Sequence, residues 1–328
     1  MILEIILLVA GTILILKGSD WVTDAAVPLA KALNTTNVAI GLILVSVLLS
    51  LPELLIALTT IIWGHADIGV GAVLGSIIVN LGLIVGLSAL LTPLRIPRHV
   101  ITRDAVFMLV TTLVVVLIGF EDMNISGRDG IVFILLFIPY MINVYEQEKT
   151  MAMSERRKEA DMITKTLIFV GKTGGGQITF KNTKVIFAIG FVMLVIGALL
   201  FTESLISFAR ILTVPELLIG LTIGALGPSI PNLAAALQAV KKGYVELAVS
   251  ETIGSNIFTL LITLGIMAIF STIHIDLLTA MVTAPAMVVV TVLFFIFTMR
   301  GTIKREDGAL LLLIYIMAMA LEIWVRVK

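Results

Sequence analysis

Two stretches of the chain, "LLSLPELLIAL" at residues 48–58 and "LGPSIPNLAAAL" at residues 226–237, place prolines and polar side chains inside long apolar runs. Glu53 follows Pro52 directly, and Asn232 follows Pro231 in the same way. Superposing Glu53 on Asn232 sets an offset of 179 residues (232 minus 53). This offset indicates that the chain contains an internal repeat.

The offset matches more than the two quoted stretches. Chance overlap of apolar runs would not favour glycine, serine and proline, yet these residues coincide without a gap over two successive helices. The matched pairs are Gly41 and Gly220, Ser50 and Ser229, Pro52 and Pro231, Gly75 and Gly254, Ser76 and Ser255, and Gly86 and Gly265. The sequence thus predicts two related halves.

The composition is that of a membrane protein. Hydrophobic residues make up 59% of the 328 and charged residues 13%, about half the charged share of a soluble domain. Apolar runs long enough to span a bilayer occur near 3–32, 36–63, 68–92, 103–120, 129–146, 184–209, 215–240, 245–271, 276–299 and 307–326. We predict an all-α polytopic membrane protein with about ten transmembrane helices.

These runs form two groups of five, which predicts a first repeat at 1–145, a connecting loop at 146–183 and a second repeat at 184–328. Since each repeat has an odd number of helices, the second must enter the membrane from the opposite side. Inverted-topology repeats of this kind are typical of transporters, with the substrate site near the midplane.

Lysine and arginine concentrate in alternate loops, which predicts the orientation. By the positive-inside rule, the loop at 146–183 is cytoplasmic, both termini lie outside, and the chain is a multi-pass protein of the cell membrane. The basic residues outside this loop are Arg95, Arg98, Arg103, Lys241, Lys242, Arg300, Lys304 and Arg305.

The polar residues within the spans point to a cation site. We expect the prolines to break their two helices and to free backbone carbonyls, and loose backbone at membrane depth is tolerated only where it is buried or lines a wet cavity. Glu53 stands among apolar residues, so we expect a cation or a proton to compensate its charge. The helices that follow carry polar residues at four-residue spacing, hence on one face. The predicted site is Ser50, Glu53, Ser76, Asn80, Ser229, Asn232, Ser255, Thr259 and Glu251.

The motifs "LSLPE" at 49–53, "PSIPN" at 228–232, "LGSIIVN" at 74–80 and "IGSNIFT" at 253–259 resemble the paired alpha-repeats of the cation/calcium exchanger superfamily. The resemblance implies a secondary antiporter that exchanges calcium for sodium by alternating access, with Ser, Thr, Asn and Glu side chains of these motifs holding the ions. The chain departs from the pattern at Leu48, Leu49, Ile77, Pro228, Asn232 and Thr259.

Asn232 stands where the family pattern has a second glutamate, so only one motif carboxylate remains. Glu251 is a carboxylate that the pattern does not explain, since its counterpart in the first half is Ala72. It is either a solvated glutamate near a helix N-terminus, or it carries part of the charge lost at Asn232. On the second hypothesis the chain has two carboxylates at different depths.

Other functions are less favoured. The absence of cysteine and the scatter of His65, His99 and His274 argue against thiolate or histidine metal sites and against an intramembrane enzyme. The "GKT" at 171–173 lacks the earlier glycine of a phosphate-binding loop. We expect no cofactor, since calcium, sodium or protons are the transported ions. We expect the chain to contact the lipid bilayer, to bind no nucleic acid and to need no obligatory protein partner. Sodium/proton or other monovalent exchange, and a degenerate member without transport, remain the alternatives.

Overall fold

The computed structural model describes residues 1–32, 38–98, 100–150, 183–241 and 245–327. Most of the predicted connecting loop, together with His99, lies outside the described residues. Within these ranges, ten helical spans follow one another. They are α1 (Ile2–Ala32), α2 (Val38–Ile62), α3 (Ala66–Leu91), α4 (Val100–Glu121), α5 (Gly127–Thr150), α6 (Thr183–Leu212), α7 (Glu216–Lys241), α8 (Val245–Phe258, continuing through Thr259–Thr263 and Leu264–Phe270), α9 (Thr279–Met299) and α10 (Arg305–Val327).

The helix count agrees with the prediction of about ten spans. Within the described residues, nine helices are long and apolar enough to cross a membrane. The remaining span, α2, has 25 residues and contains the shorter apolar segment Val47–Ile62. Helices suit this environment because they satisfy their own backbone hydrogen bonds where no water can. The chain is therefore an all-α multi-pass membrane protein.

Four two-residue strands in the described part of the chain confirm that the repeats are inverted. They are β1 (Leu94–Arg95), β2 (Asn124–Ile125), β3 (Ile273–His274) and β4 (Thr302–Ile303), and β1 pairs with β4 while β2 pairs with β3. Leu94 pairs with Ile303, and its repeat counterpart Ile273 pairs with Ile125. Because β1 follows the third span and β2 the fourth, the two equivalent pairings lie at opposite ends of the bundle.

Glycines related by the repeat lie where α1 packs on α6. Gly11 and Gly18 of α1 have Gly190 and Gly197 of α6 as counterparts at the 179-residue offset. A Cβ added at any of the four would lie within 2.8 Å of an atom of the opposing helix. Small residues allow such close backbone approach, which replaces the hydrophobic effect as the cause of helix association in lipid.

The prolines do not interrupt their helices, which corrects the expectation of broken helices drawn from the sequence. Pro52 lies inside α2, and Pro228 and Pro231 lie inside a continuous helical segment of α7. In α7 a π-helical turn at Gly220–Gly224 precedes the first proline. A proline has no backbone N–H to donate to the carbonyl one turn earlier, and its ring would clash with that carbonyl. The wider π-helical turn leaves room for it. The backbone adapts by widening one turn, so the helix axis continues.

Helices α3 and α8 form the centre of the molecule. Their apolar windows are 94% and 78% buried, against 22% for α1. Both contain π-helical turns, Val79–Val85 in α3 and Thr259–Thr263 in α8, at equivalent positions of the two repeats. These central helices and their neighbours α2 and α7 carry all the polar residues singled out from the sequence.

Candidate functional site

All nine predicted site residues are buried in the interior, each with a side chain no more than 4% exposed. Four helices supply them, two from each repeat. Helix α2 contributes Ser50 and Glu53, α3 contributes Ser76 and Asn80, α7 contributes Ser229 and Asn232, and α8 contributes Glu251, Ser255 and Thr259. Polar side chains are thus enclosed at the junction of the two repeats.

Two contacts connect the repeats directly. The hydroxyl oxygens of Ser50 and Ser255 lie 2.8 Å apart, a hydrogen bond between α2 and α8. The Ser229 hydroxyl donates a long hydrogen bond of 3.4 Å to Oε1 of Glu53, which connects α7 to α2. Polar residues predicted from both halves therefore meet at one place.

Several polar atoms of this group have no hydrogen-bond partner although they are buried. Unpaired buried polar atoms are costly and call for an explanation. An oxygen-binding cation would satisfy the oxygens among them, because hard cations take carboxylate, carboxamide and hydroxyl oxygens as ligands. The unpaired atoms are Oε2 of Glu53, Oδ1 of Asn80, Oδ1 and Nδ2 of Asn232, and Oγ1 of Thr259.

Ser76 differs from the other predicted residues. Its hydroxyl donates a 2.9 Å hydrogen bond to the carbonyl of Val73 in its own helix, as serines in apolar helices commonly do. No hydrogen bond from this hydroxyl to another helix is present in the described structure. Only the lone pairs of its oxygen remain for an ion.

Asn256 is a polar residue of the group that we did not select from the sequence. Its Oδ1 accepts a 2.8 Å hydrogen bond from Nδ2 of Asn80, and it is fully buried. The 179-residue offset pairs Asn256 with Ile77, so comparing the two repeats passes over it. The signal that would have found it is its place in the motif "IGSNIFT", directly after Ser255.

Glu251 is buried and lies close to the group. Its side chain is 3% exposed and its Oε1 has no hydrogen-bond partner. The interpretation of Glu251 as a solvated glutamate at a helix N-terminus is therefore wrong.

The donor set is poor in charge. Among the described residues, no group of three or more His, Cys, Asp or Glu side chains is arranged to hold a metal ion. The site instead combines isolated carboxylates with carboxamide and hydroxyl oxygens. Such a set suits a hard cation that is bound weakly enough to be released.

Comparisons with known proteins agree with this arrangement. The chain is 28% identical over 335 residues to the sodium/calcium exchanger MaX1 of Methanosarcina acetivorans, which covers 95% of this chain and 96% of the relative. It is 29% identical over 327 residues to the inner membrane protein YrbG of Escherichia coli, covering 99% and 98%.

A solved structure of the sodium-calcium exchanger NCX_Mj, soaked with 2.5 mM Na+ and 10 mM Sr2+, superposes with a TM-score of 0.66 at 26% identity. It covers 97% of this chain and 98% of that one. The family model described as "Sodium/calcium exchanger protein" matches residues 3–145 and 183–324, which is most of both repeats. Because this family model matches well over half of the chain, the chain belongs to the sodium/calcium exchanger protein family.

Proposed function

We propose that the protein is a secondary active antiporter that exchanges sodium for calcium across the membrane. The observation that carries this proposal is Glu53, a buried carboxylate that receives one long hydrogen bond and leaves Oε2 unpaired. A carboxylate in this setting is costly unless a cation or a proton compensates it. The relative MaX1, which is named a sodium/calcium exchanger, supports calcium and sodium as the cations.

The proposed site comprises the oxygens around Glu53 that come from both repeats. Asn80 and Thr259 each present an unpaired oxygen from the central helices, and Asn232 presents one from α7. Ser50, Ser229 and Ser255 hold hydroxyls beside them. Ser76 contributes through its lone pairs. An ion held here would contact both halves of the molecule at once.

The inverted repeats supply the transport mechanism. When two related halves are inserted with opposite orientation, exchanging their conformations opens the shared site to the other side of the membrane. Sodium and calcium would then occupy the site in turn, each carried across as the halves exchange conformation. No cofactor enters this mechanism, since the ions themselves are the substrates.

Orientation and organisation are part of the proposal. We assign residues 1–145 and 184–328 to the two repeats and residues 146–183 to a cytoplasmic connection, with both termini outside the cell membrane. Alternate loops rich in lysine and arginine support this orientation. The equivalent strand pairs at opposite ends of the bundle support the division.

A second candidate function is exchange of sodium for protons or for another monovalent cation. It is favoured by Asn232, the repeat counterpart of Glu53, because a carboxamide at this position carries no charge. Calcium sites are tuned by the number of charged ligands. A site with one carboxylate binds a divalent ion less strongly than a site with two.

Flux into proteoliposomes tests both functions. We expect sodium-loaded vesicles to take up calcium, with uptake abolished when the sodium gradient is removed and not restored when a pH gradient is imposed in its place. Sodium flux driven by a pH gradient without calcium uptake would establish the monovalent alternative. Absence of both fluxes in a folded, reconstituted protein would identify a member of the family without transport.

A further inference from the structure

Buried polar contacts connect α4, α8 and α3 in sequence. Nδ2 of Asn80 in α3 donates a 2.8 Å hydrogen bond to Oδ1 of Asn256 in α8. Nδ2 of Asn256 donates in turn to the thioether sulfur of Met108 in α4, at 3.7 Å. The three side chains are at most 1% exposed, so they cannot exchange these partners for water. The contacts end at Oδ1 of Asn80, which has no hydrogen-bond partner among the described residues.

The types of donor and acceptor fix which way each carboxamide is turned. A thioether sulfur accepts hydrogen bonds and cannot donate them, whereas a carboxamide has an acceptor end and a donor end. Met108 therefore takes the amino end of Asn256, which leaves the carbonyl end of Asn256 for Asn80. Only the amino end of Asn80 can meet that carbonyl. Asn80 consequently has its oxygen as the free atom, and oxygen is the ligand that a hard cation requires.

The second repeat has a different pair of residues at the corresponding positions. The 179-residue offset relates Asn80 to Thr259 and Asn256 to Ile77. A hydroxyl donates and accepts at a single oxygen, so Thr259 needs no neighbour to decide which end of it faces an ion. At the counterpart of Asn256, the fully buried Ile77 is apolar. The orienting carboxamide thus accompanies the predicted ion ligand that is itself a carboxamide.

The methionine of this group is shared by both repeats. Met108 of α4 has Met287 of α9 as its counterpart at the same offset, and both are fully buried. Met287 belongs to the same apolar core as Ile77, whereas Met108 accepts a hydrogen bond from Asn256. The two repeats therefore differ in the polar pair and agree in the thioether beside it.

We propose that Asn256 is a positioning residue for ion binding, which holds the amino end of Asn80 so that Oδ1 of Asn80 is presented to the transported ion. This inference deepens the exchange function proposed above and rests on it. Both ends of Asn256 are engaged by protein groups, so it acts through Asn80. Without this acceptor the amino group of Asn80 would be buried without a partner, which is unfavourable. Rotation of the Asn80 amide would then place a donor where the ion needs an oxygen.

A double-mutant cycle at positions 80 and 256 tests the proposal, read by calorimetric titration of purified protein with calcium and with sodium. We expect Asn256→Ile to weaken ion affinity about tenfold. In a chain that also carries Asn80→Thr, the same substitution should change the affinity by less than about twofold, since a hydroxyl needs no orienting partner. The two substitutions together reproduce the pair Thr259 and Ile77 of the other half.

Met108→Leu and Met287→Leu form a matched pair of controls. Each replaces a buried thioether by an apolar side chain of similar volume, but only Met108→Leu removes an acceptor from Asn256. We expect Met108→Leu to weaken ion affinity, by less than Asn256→Ile because sulfur is a weak acceptor. Met287→Leu should keep the wild-type affinity. An equal loss in both variants would contradict the orientation of Asn256 by the sulfur.

An equal loss of affinity on Asn256→Ile with and without Asn80→Thr would overturn the proposal, because Asn256 would then act independently of Asn80. Wild-type affinity for both ions in Asn256→Ile would also overturn it, and sodium-driven calcium uptake by the wild-type protein would leave the proposed exchange intact. Failure of the wild type to take up calcium would instead refute the exchange function, while the cycle is still read with sodium. If Asn256→Ile does not fold, Asn256→Ala removes the same acceptor and should give the same affinities.

Undetectable ion binding in Asn80→Thr alone would count against the proposal, because a hydroxyl would then be unable to take the place of the oriented carboxamide.

Discussion

The hydroxyls of Ser50 and Ser255, 2.8 Å apart, form a hydrogen bond between a helix of the first repeat and a helix of the second. Both residues are fully buried, so neither hydroxyl can turn to water if its partner is removed. Each serine is the repeat counterpart of another serine of the group, Ser229 and Ser76 respectively. The contact therefore fixes the relative depth of two helices that the repeat alone leaves free.

This hydrogen bond can be measured by a double-mutant cycle of Ser50→Ala and Ser255→Ala. We expect a coupling free energy of about 0.6 kcal/mol, with an upper value near 1.7 kcal/mol, as found for hydrogen bonds between membrane helices. The measurement is the free energy of unfolding in bilayer or detergent for the two single variants and the double variant. Additive effects of the two substitutions would show that the hydroxyls do not interact.

Glu53→Gln should abolish exchange while leaving the protein folded. The carboxamide keeps the size and the hydrogen-bonding capacity of the side chain but removes its charge. We expect calcium uptake to fall to the level of protein-free liposomes, with an unchanged elution profile on size exclusion. Glu306→Gln serves as the control for a neutralised carboxylate. Calcium uptake at the wild-type rate in Glu53→Gln would place the ion site elsewhere.

Asn232→Glu should strengthen calcium binding. The substitution restores a carboxylate at the repeat counterpart of Glu53, at a side chain whose two polar atoms are now unpaired. Calcium affinity varies over orders of magnitude with the number of charged ligands, so we expect a gain of about tenfold or more. Calorimetric titration with calcium measures it, and Asn232→Gln controls for side-chain length. A gain that Asn232→Gln reproduces would speak against charge as the cause.

Asp276, between α8 and α9, should contribute stability that is lost in acid. Burial alone would raise its pKa, but hydrogen bonds from Arg326 and Thr279 outweigh burial and hold the pKa below its usual value. The contacts are 2.9 Å from Nη1 of Arg326 and 2.8 Å from the Thr279 backbone nitrogen. A folded pKa below the unfolded one stabilises the protein above the unfolded pKa, and this contribution disappears as pH falls through the folded pKa.

Asp276→Asn therefore should lower the melting temperature at neutral pH. The difference from wild type should shrink as pH falls below the usual aspartate value, because protonated Asp276 then resembles the amide in charge. Thermal unfolding over a pH series checks this. A difference that stays constant over the series would indicate that the ionised carboxylate has no role.

The orientation can be tested with single cysteines, since the chain has none of its own. Asp122, between α4 and α5, and Lys304, before α10, are both exposed. We expect a membrane-impermeant thiol reagent to label Asp122→Cys from outside intact cells and Lys304→Cys only after the membrane is opened. Labelling of both from the same side would contradict the assigned orientation of the repeats.

The sequence by itself determined the number of spans, the repeat and most of the polar residues that lie buried where the two repeats meet. Apolar run length reports directly on bilayer thickness, and the 179-residue offset needs only the positions of glycine, proline and serine. The same offset correctly relates the glycines Gly18 and Gly197 at the crossing of α1 and α6.

Contacts between helices were decided only by the tertiary structure. Asn256 is hydrogen-bonded to Asn80, although the repeat pairs Asn256 with Ile77. The prolines of α7 lie in a continuous helix. Glu251 is buried, whereas one of the two interpretations drawn from the sequence was a solvated helix end. The physical reason is that lipid is as apolar as the helix surfaces, so hydropathy does not specify which face of a helix meets its neighbour. Rotation and depth are set by close packing of small residues and by hydrogen bonds such as that between Ser50 and Ser255, and these exist only once the helices have assembled.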